Sequence, residues 1–226
     1  VRGAAAHDLQ GPLTRHAHRC CASNGASTSP RWGEVKEALP HMTPGSSSPR
    51  VAAVSLRRGH HFSKTPALSI RLLKGLGVEG DGHMGVTVMH RYDRRRDPTK
   101  PNLRQVHLIA SEMLDELRSK GFIIKPGDLG ENITTSDIDL LALPAGARLH
   151  LGDSAIIELT GLREPCVLMD RFRQGLKAAT EAHDADGRVI CKAGVMAIVL
   201  VDGEVAPGDD IRVERPSGVE HPLRPV

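Results

Sequence analysis

The run Leu162-Arg163-Glu164-Pro165-Cys166 ends in a cysteine set just past an apolar stretch and just before a helix-like one. A helix N-terminus and a neighbouring guanidinium both favour thiolate over thiol, the form that binds metal or carries sulfur. The competing reading is a small buried hydrophobe, the commonest fate of a free cysteine. Upstream, Gly127-Asp128-Leu129-Gly130-Glu131-Asn132 can present backbone N–H groups to an anion and an amide to a heterocycle. Taken alone it reads first as an ordinary Gly-rich turn leading into the strand 133–135. Gly77-Val78-Glu79-Gly80-Asp81-Gly82-His83-Met84-Gly85 lacks the strand–turn–helix context of a dinucleotide fingerprint. Asp81 and His83 stand two apart in it, and no further ligand stands at zinc spacing. Lys64, Arg104 and Arg163 each read alone as a solvated charge, yet together they supply the cations of one anion site if the fold gathers them. No Ser-His-Asp order or paired-carboxylate pattern emerges.

The elements that must position these residues come from periodicity. Residues 51–56 and 70–73 read as short strands, and 104–110 as a stronger one with Val106, Leu108 and Ala110 alternating. Residues 111–120 form the clearest helix pattern, with Ser111 as its cap, acids at its start, bases at its end and Gly121 as its stop. Residues 147–151 and 154–159 read as a hairpin about Gly152-Asp153. A second helix is expected over 167–179, and final strands over 195–201 and 211–213. Many short strands, two modest helices and repeated Gly-Asp turns, with no βαβ alternation, predict a strand-rich α+β fold, a compact β-barrel-like domain.

Residues 1–49 carry Gly, Pro, Ser, Thr and His without sustained period, and are expected to be a disordered extension. Trp32, Val35 and Leu39 could make one short helix there, and the Arg, Ser and Ala of 1–31 leave a transit peptide open. The domain is expected over 50–215, followed by a Pro-rich tail at 216–226. A formal charge of +3 and 2% aromatic residues argue against nucleic acid as the main partner. No run of apolar residues is long enough to span a membrane. Cys20, Cys21, Cys166 and Cys191 show neither a disulfide framework nor CxxC spacing, which points to a reducing, cytoplasmic setting. Cys191 reads as structural. Arg91 to Arg96 reads as a solvated loop, or as a docking surface for an acidic redox partner.

Taken in order, Lys64-Thr65-Pro66, the 77–85 turn, Arg104-Gln105-Val106, residues 127–135 and 160–166 and the closing 205–213 resemble a MOSC domain, the C-terminal module of molybdenum cofactor sulfurase. The resemblance covers residues 51–214. It implies a barrel-like fold and a pterin-based molybdenum cofactor or a sulfur-carrying role. Cys166 then stands where the family places its metal ligand or persulfide carrier. By the same matching, Lys64, Thr65, Arg104, Asn132 and Arg163 line the pterin phosphate and ring, and Asp81, His83 and Glu131 shape the wall. Full sulfurases carry a pyridoxal-phosphate domain ahead of this module, which the polar 1–49 segment is too short to hold, and the partner domain of larger amidoxime-reducing relatives has no match within these residues, so a stand-alone module is the expectation. The pattern resembles stand-alone bacterial members linked to resistance against N-hydroxylated purines. Three functions follow as expectations. The first is reduction of a small N-hydroxylated substrate, with a proton from Asp81 or His83 and electrons from a separate reductase. The second is a sulfur carrier with a persulfide on Cys166, serving a sulfur donor and acceptor. The third is a structural or interaction domain.

Overall fold

The structure, a computed structural model, describes residues 48–226 except 90, 184, 185 and 188, with the side chains of 91–93 also outside the description. The extension expected over 1–49, with its Trp32 helix, its transit-peptide reading and Cys20 and Cys21, therefore lies outside the described residues as far as residue 47.

The strands are β1 (Arg50–Leu56), β2 (Thr65–Ala67), β3 (Ile70–Leu73), β4 (Gly77–Val78), β5 (Val106–Ala110), β6 (Ile133–Ser136) and β7 (Arg148–Leu151). They continue with β8 (Ala155–Leu162), β9 (Glu181–His183), β10 (Val189–Cys191), β11 (Val195–Val201), β12 (Gly203–Val205) and β13 (Ile211–Glu214). The helices are α1 (Arg91–Arg96), α2 (Ser111–Ser119), α3 (Val167–Phe172) and α4 (Leu176–Ala179), with a 3₁₀ turn at Leu140–Ala142. The main sheet has eight strands in the order β13-β7-β8-β11-β5-β6-β1-β2, and β12-β3-β4 and β10-β9 form small sheets beside it. This is the strand-rich α+β architecture that the pattern predicts.

A closed barrel is not present among the described residues. The two flanks of the main sheet meet at an isolated bridge, Arg50 to Asp210, with Val51 N donating to Asp209 O (2.9 Å), Gly208 N to Val51 O (2.8 Å) and Ile211 N to Pro49 O (2.8 Å), without a continuous ladder between β1 and β13. Against the expected lack of βαβ alternation stands one such unit: β5 and β6 pair in parallel, Leu108 opposite Ile133, with α2 as the crossover between them. The signal was hidden because α2 is separated from β6 by the irregular 120–132 segment.

Alternation places the core. In β8, Ala155, Ile157 and Leu159 turn inward against Val195, Ala197 and Val199 of β11. Central β5 is buried on both faces: Val106 and Leu108 join this cluster, while Ile109 joins Met113, Leu114 and Leu117 of α2. A strand so covered loses its polar alternation. Three local expectations are revised. Ser111 does not cap α2: Ala110 holds the N-cap position without a side-chain bond, and the Ser111 hydroxyl turns to Glu112 (3.3 Å). The helix expected over 167–179 is two helices, because Arg173 is extended and Gly175 is left-handed at φ 82°. The 91–96 segment is the short helix α1 rather than a loop, with Arg94, Arg95 and Arg96 exposed. The Pro-rich 216–226 segment lies on the domain. Leu223 enters the main core at 7% exposure, and Leu162 N donates to Arg224 O (2.8 Å).

Candidate functional site

β8 leads directly into the cysteine segment. Arg163 N donates to Gly194 O (3.0 Å), continuing the β8–β11 pairing by one residue. Pro165 then breaks the ladder, since it has no N–H to give. Cys166 takes the extended N-cap position of α3 (φ −117°, ψ 164°), half-exposed at the edge of a cavity of about 230 Å³.

Around that cavity the structure gathers Lys64, His83, Arg104, Asn132, Arg163 and Cys166, although they are spread over a hundred positions of sequence. Thr65 is not among them. It lies in β2 opposite Leu56, exposed on the edge strand. Asp81 and Glu131 stand behind the wall rather than on it.

Asp81 is the hub of the charge network. Its Oδ2 meets Lys64 Nζ (2.9 Å) and accepts from Asn132 Nδ2 (3.2 Å) and Arg57 N (3.3 Å). Its Oδ1 accepts from His83 N (3.0 Å) and faces His83 Nδ1 (3.3 Å). Burial alone would raise this carboxyl. The hydrogen bonds from His83 and the charge of Lys64 outweigh it and hold the group well below the ordinary carboxylate range. Burial pulls Lys64 below its usual value, against the opposing pull of Asp81. Both side chains are almost wholly enclosed, so neither charge is stable there without the other.

The 127–132 turn is the second support. Gly130 is left-handed (φ 83°), and a Cβ there would stand 2.3 Å from Phe62 O, so only glycine lets the two loops close on each other. Glu131 is fully buried. Its Oε1 accepts from Gly127 N and Thr134 Oγ1, while its Oε2 has no hydrogen-bond partner in the protein. Burial pushes its carboxyl up, against the hydrogen bond from Gly127 N and the charge of Arg163. Asn132 lines the cavity, but its amide is engaged by the framework: Nδ2 donates to Ser55 O (3.2 Å) and Asp81, and Oδ1 accepts from His107 N (3.2 Å). It braces the wall instead of offering a free amide.

Arg163 lies across the Phe62 ring, 5.7 Å from guanidinium carbon to centroid, and donates to Met169 Sδ (3.7 Å). Burial lowers its affinity for its proton, and a thiolate at Cys166 and the carboxyl of Glu131 act the other way. His107 is the lining residue that sequence reasoning missed. It is buried in β5 with Nε2 2.9 Å from Ala193 O, which makes Nε2 the protonated nitrogen, because a carbonyl can only accept. Burial, then the charge of Arg163, drives this imidazole well below its usual value, so it is neutral. Its only sequence signal was a histidine inside an apolar strand. His61, Phe62, Met89 and Leu168 were also missed; they add a ring, two apolar surfaces and a third imidazole to the lining. Nothing in their spacing distinguishes them.

The arrangement can bind an anion on three cations and present a thiol beside it, with one histidine oriented through an ionised acid. Among the described residues no three His, Cys, Asp or Glu side chains gather as a metal cluster. No helix among them is long and apolar enough to cross a membrane.

No curated protein sequence matches the chain. Among solved structures, YuaD from Bacillus subtilis superposes with a TM-score of 0.63 at 21% identity, covering 76% of this chain and 98% of that one. YiiM from Geobacillus stearothermophilus gives 0.54 at 17% identity, over 75% and 77% of the two chains. At such identities the likeness is one of fold. The family model described as the MOSC domain matches residues 79–212, which is more than half of the sequence and runs from the Asp81 turn through Cys166 into β13, so the chain belongs to the MOSC domain family.

Proposed function

We propose that this cavity holds a pterin-based molybdenum cofactor, with Cys166 as the protein ligand to the metal, and that the protein reduces small N-hydroxylated compounds. The observation that carries the reading is the convergence of Cys166 with Lys64, Arg104 and Arg163 on one cavity. The donor set fits the group: a soft thiol for a redox metal, and three cations for the phosphate of the pterin. When bound, the cofactor supplies two-electron redox chemistry that no side chain here could perform.

The chain's own residues have separable tasks. Arg104 and Arg163 bind the phosphate, and Lys64, fixed by Asp81, completes the field. Asn132 and His107 hold the wall rigid through the bond from His107 N to Asn132 Oδ1. Phe62, Met89 and Leu168 supply apolar surface to the cavity. Of the two proton donors considered, His83 is favoured. Asp81 is kept ionised and has no proton to give, whereas His83, taken as the imidazolium with Nδ1–H on Asp81, would hand its Nε2 proton to the leaving oxygen and be left as the neutral Nδ1–H tautomer. Electrons come from a separate reductase in this scheme.

The test is metal and pterin content of the full chain purified from a host that makes the cofactor, alongside Cys166→Ala. Stoichiometric molybdenum and pterin in the parent, with the metal lost in the variant, is the expected result. Retention of molybdenum by Cys166→Ala would overturn the ligand assignment. The half-exposure of Cys166 favours one alternative, a persulfide carrier open to a sulfur acceptor. One additional sulfur on Cys166 by intact mass, in protein without molybdenum, identifies that case.

A further inference from the structure

A second cavity, of about 400 Å³, lies apart from the first. Its floor is Ile109 at the end of β5, Met113 of α2 and Leu140, and Ile138 and Leu141 form its lip. That volume is within the range of small-molecule sites, and its surface is largely apolar with a few charged groups.

The charged groups have one dominant sign. Glu112, Glu116, Asp137 and Asp139 line the cavity against a single cation, Lys192. Lys192 is already paired with Glu116, which also holds Lys120 (2.7 Å). Glu112 accepts from Asp137 N (2.7 Å), and Asp139 from Leu141 N (3.1 Å) and Ala142 N (3.2 Å). These are bonds to neutral backbone, and neither Glu112 nor Asp139 is in an ion pair among the described residues. The rim therefore keeps negative charge beside an apolar floor, the complement of an organic cation.

The site also has a physical link to the first cavity. Lys192 and Gly194 line it, while the carbonyl of Ala193 accepts from His107 and that of Gly194 from Arg163. The strip 192–194 thus edges the second cavity and is hydrogen-bonded to two residues of the first.

We propose that this cavity is a second small-molecule site, taking a protonated amine on an apolar body about the size of a phenyl or naphthyl group. The aryl part lies on Met113, Ile138 and Leu140, and the ammonium faces Glu112 on the rim.

The experiment is calorimetric titration of the full chain with 2-phenylethylamine, protonated at pH 7, against the neutral 2-phenylethanol and the anionic phenylacetate. The amine is expected to bind about fivefold or more tighter than the alcohol, with the acid weakest. Glu112→Gln keeps an acceptor for Asp137 N and is expected to erase most of the preference for the amine. Ile138→Arg puts a like charge on the lip and is expected to weaken the amine roughly tenfold. Thermal melts of both variants check that they are folded. Absence of saturable amine binding overturns the proposal, as does phenylacetate binding as well as the amine. Amine binding that neither folded variant alters places the ligand elsewhere and overturns it too.

Discussion

His107 shows how much one buried side chain can decide. It is neutral in the folded protein because burial and the nearby guanidinium oppose its protonation. In the unfolded chain it titrates near its ordinary value of about 6.5. Its contribution is therefore fully present above that value and is lost as pH falls toward the lower folded value, at up to about 1.4 kcal/mol per unit. Glu131 has the opposite sign: its folded carboxyl is raised, so it favours the folded state below its unfolded value of about 4.3 and loses that contribution as pH rises. Comparing wild type with His107→Gln separates the two, because Gln can still donate to Ala193 O. Urea midpoints at pH 7.5 and 5.5 should fall for wild type relative to the variant. Parallel pH profiles would show that His107 is not the group responsible. Sequence gave no warning of this role, since a histidine in an apolar strand has the same letters whether it is buried or turned out. Cys166, by contrast, was legible from its neighbours, because Arg163, Pro165 and the helix start after it are all local.

At the scale of elements, the link between β11 and the site depends on Gly194. It has φ 107°, and a Cβ there would stand 2.3 Å from Leu108 O and 2.6 Å from His107 Nε2. Backbone cannot yield to that as a flexible side chain would. Gly194→Ala is expected to cost about 2–3 kcal/mol, from steric displacement and a backbone that L residues rarely adopt. Since Gly194 O holds Arg163 N, the substitution should also loosen the turn that carries Cys166. Amide exchange at Arg163 should then accelerate more than at Val199, whose N–H is held by Gln105 Oε1 on the far part of β11. Equal acceleration at both would mean that the effect is global. The strands and α2 were readable because their periods are local. The break at Arg173–Gly175 was not, because the 167–179 composition suits a helix and only the packing of Phe172 against Phe62 (5.5 Å) and of Leu176 into the α2 cluster directs the turn.

For the molecule as a whole, the 216–226 segment behaves as part of the domain. Ala145 N donates to His221 O (2.9 Å), Leu162 N to Arg224 O (2.8 Å), and Leu223 fills a place in the main core. The segment thereby grips β8 at the residue before Arg163. Leu223→Ala is expected to cost about 2–3 kcal/mol, as for other truncations at a core margin. It should speed exchange of the Leu162 amide more than that of Leu159, which is bound to Ala147 O instead. If both amides respond alike, the segment contributes stability without positioning the site. Its prolines concealed this in the sequence: a Pro-rich run makes few ladder bonds, so it carries no strand period even when it lies flat on a domain.

The sequence by itself determined the chemistry on offer. It specified the thiol beside an arginine, the cations and glycine turns of the MOSC pattern, and the alternation of β8 and β11, all of them properties of residue type and local spacing. The tertiary structure decided which of those groups meet. It placed Asp81 behind Lys64 and His83 as a saturated anion, engaged the Asn132 amide in the wall, left Thr65 on an exposed edge and brought His107 to the cavity. It also left the main sheet unclosed. The reason is physical: burial, charge balance and hydrogen-bond saturation belong to neighbours in space, and here those neighbours lie dozens of residues apart in the chain.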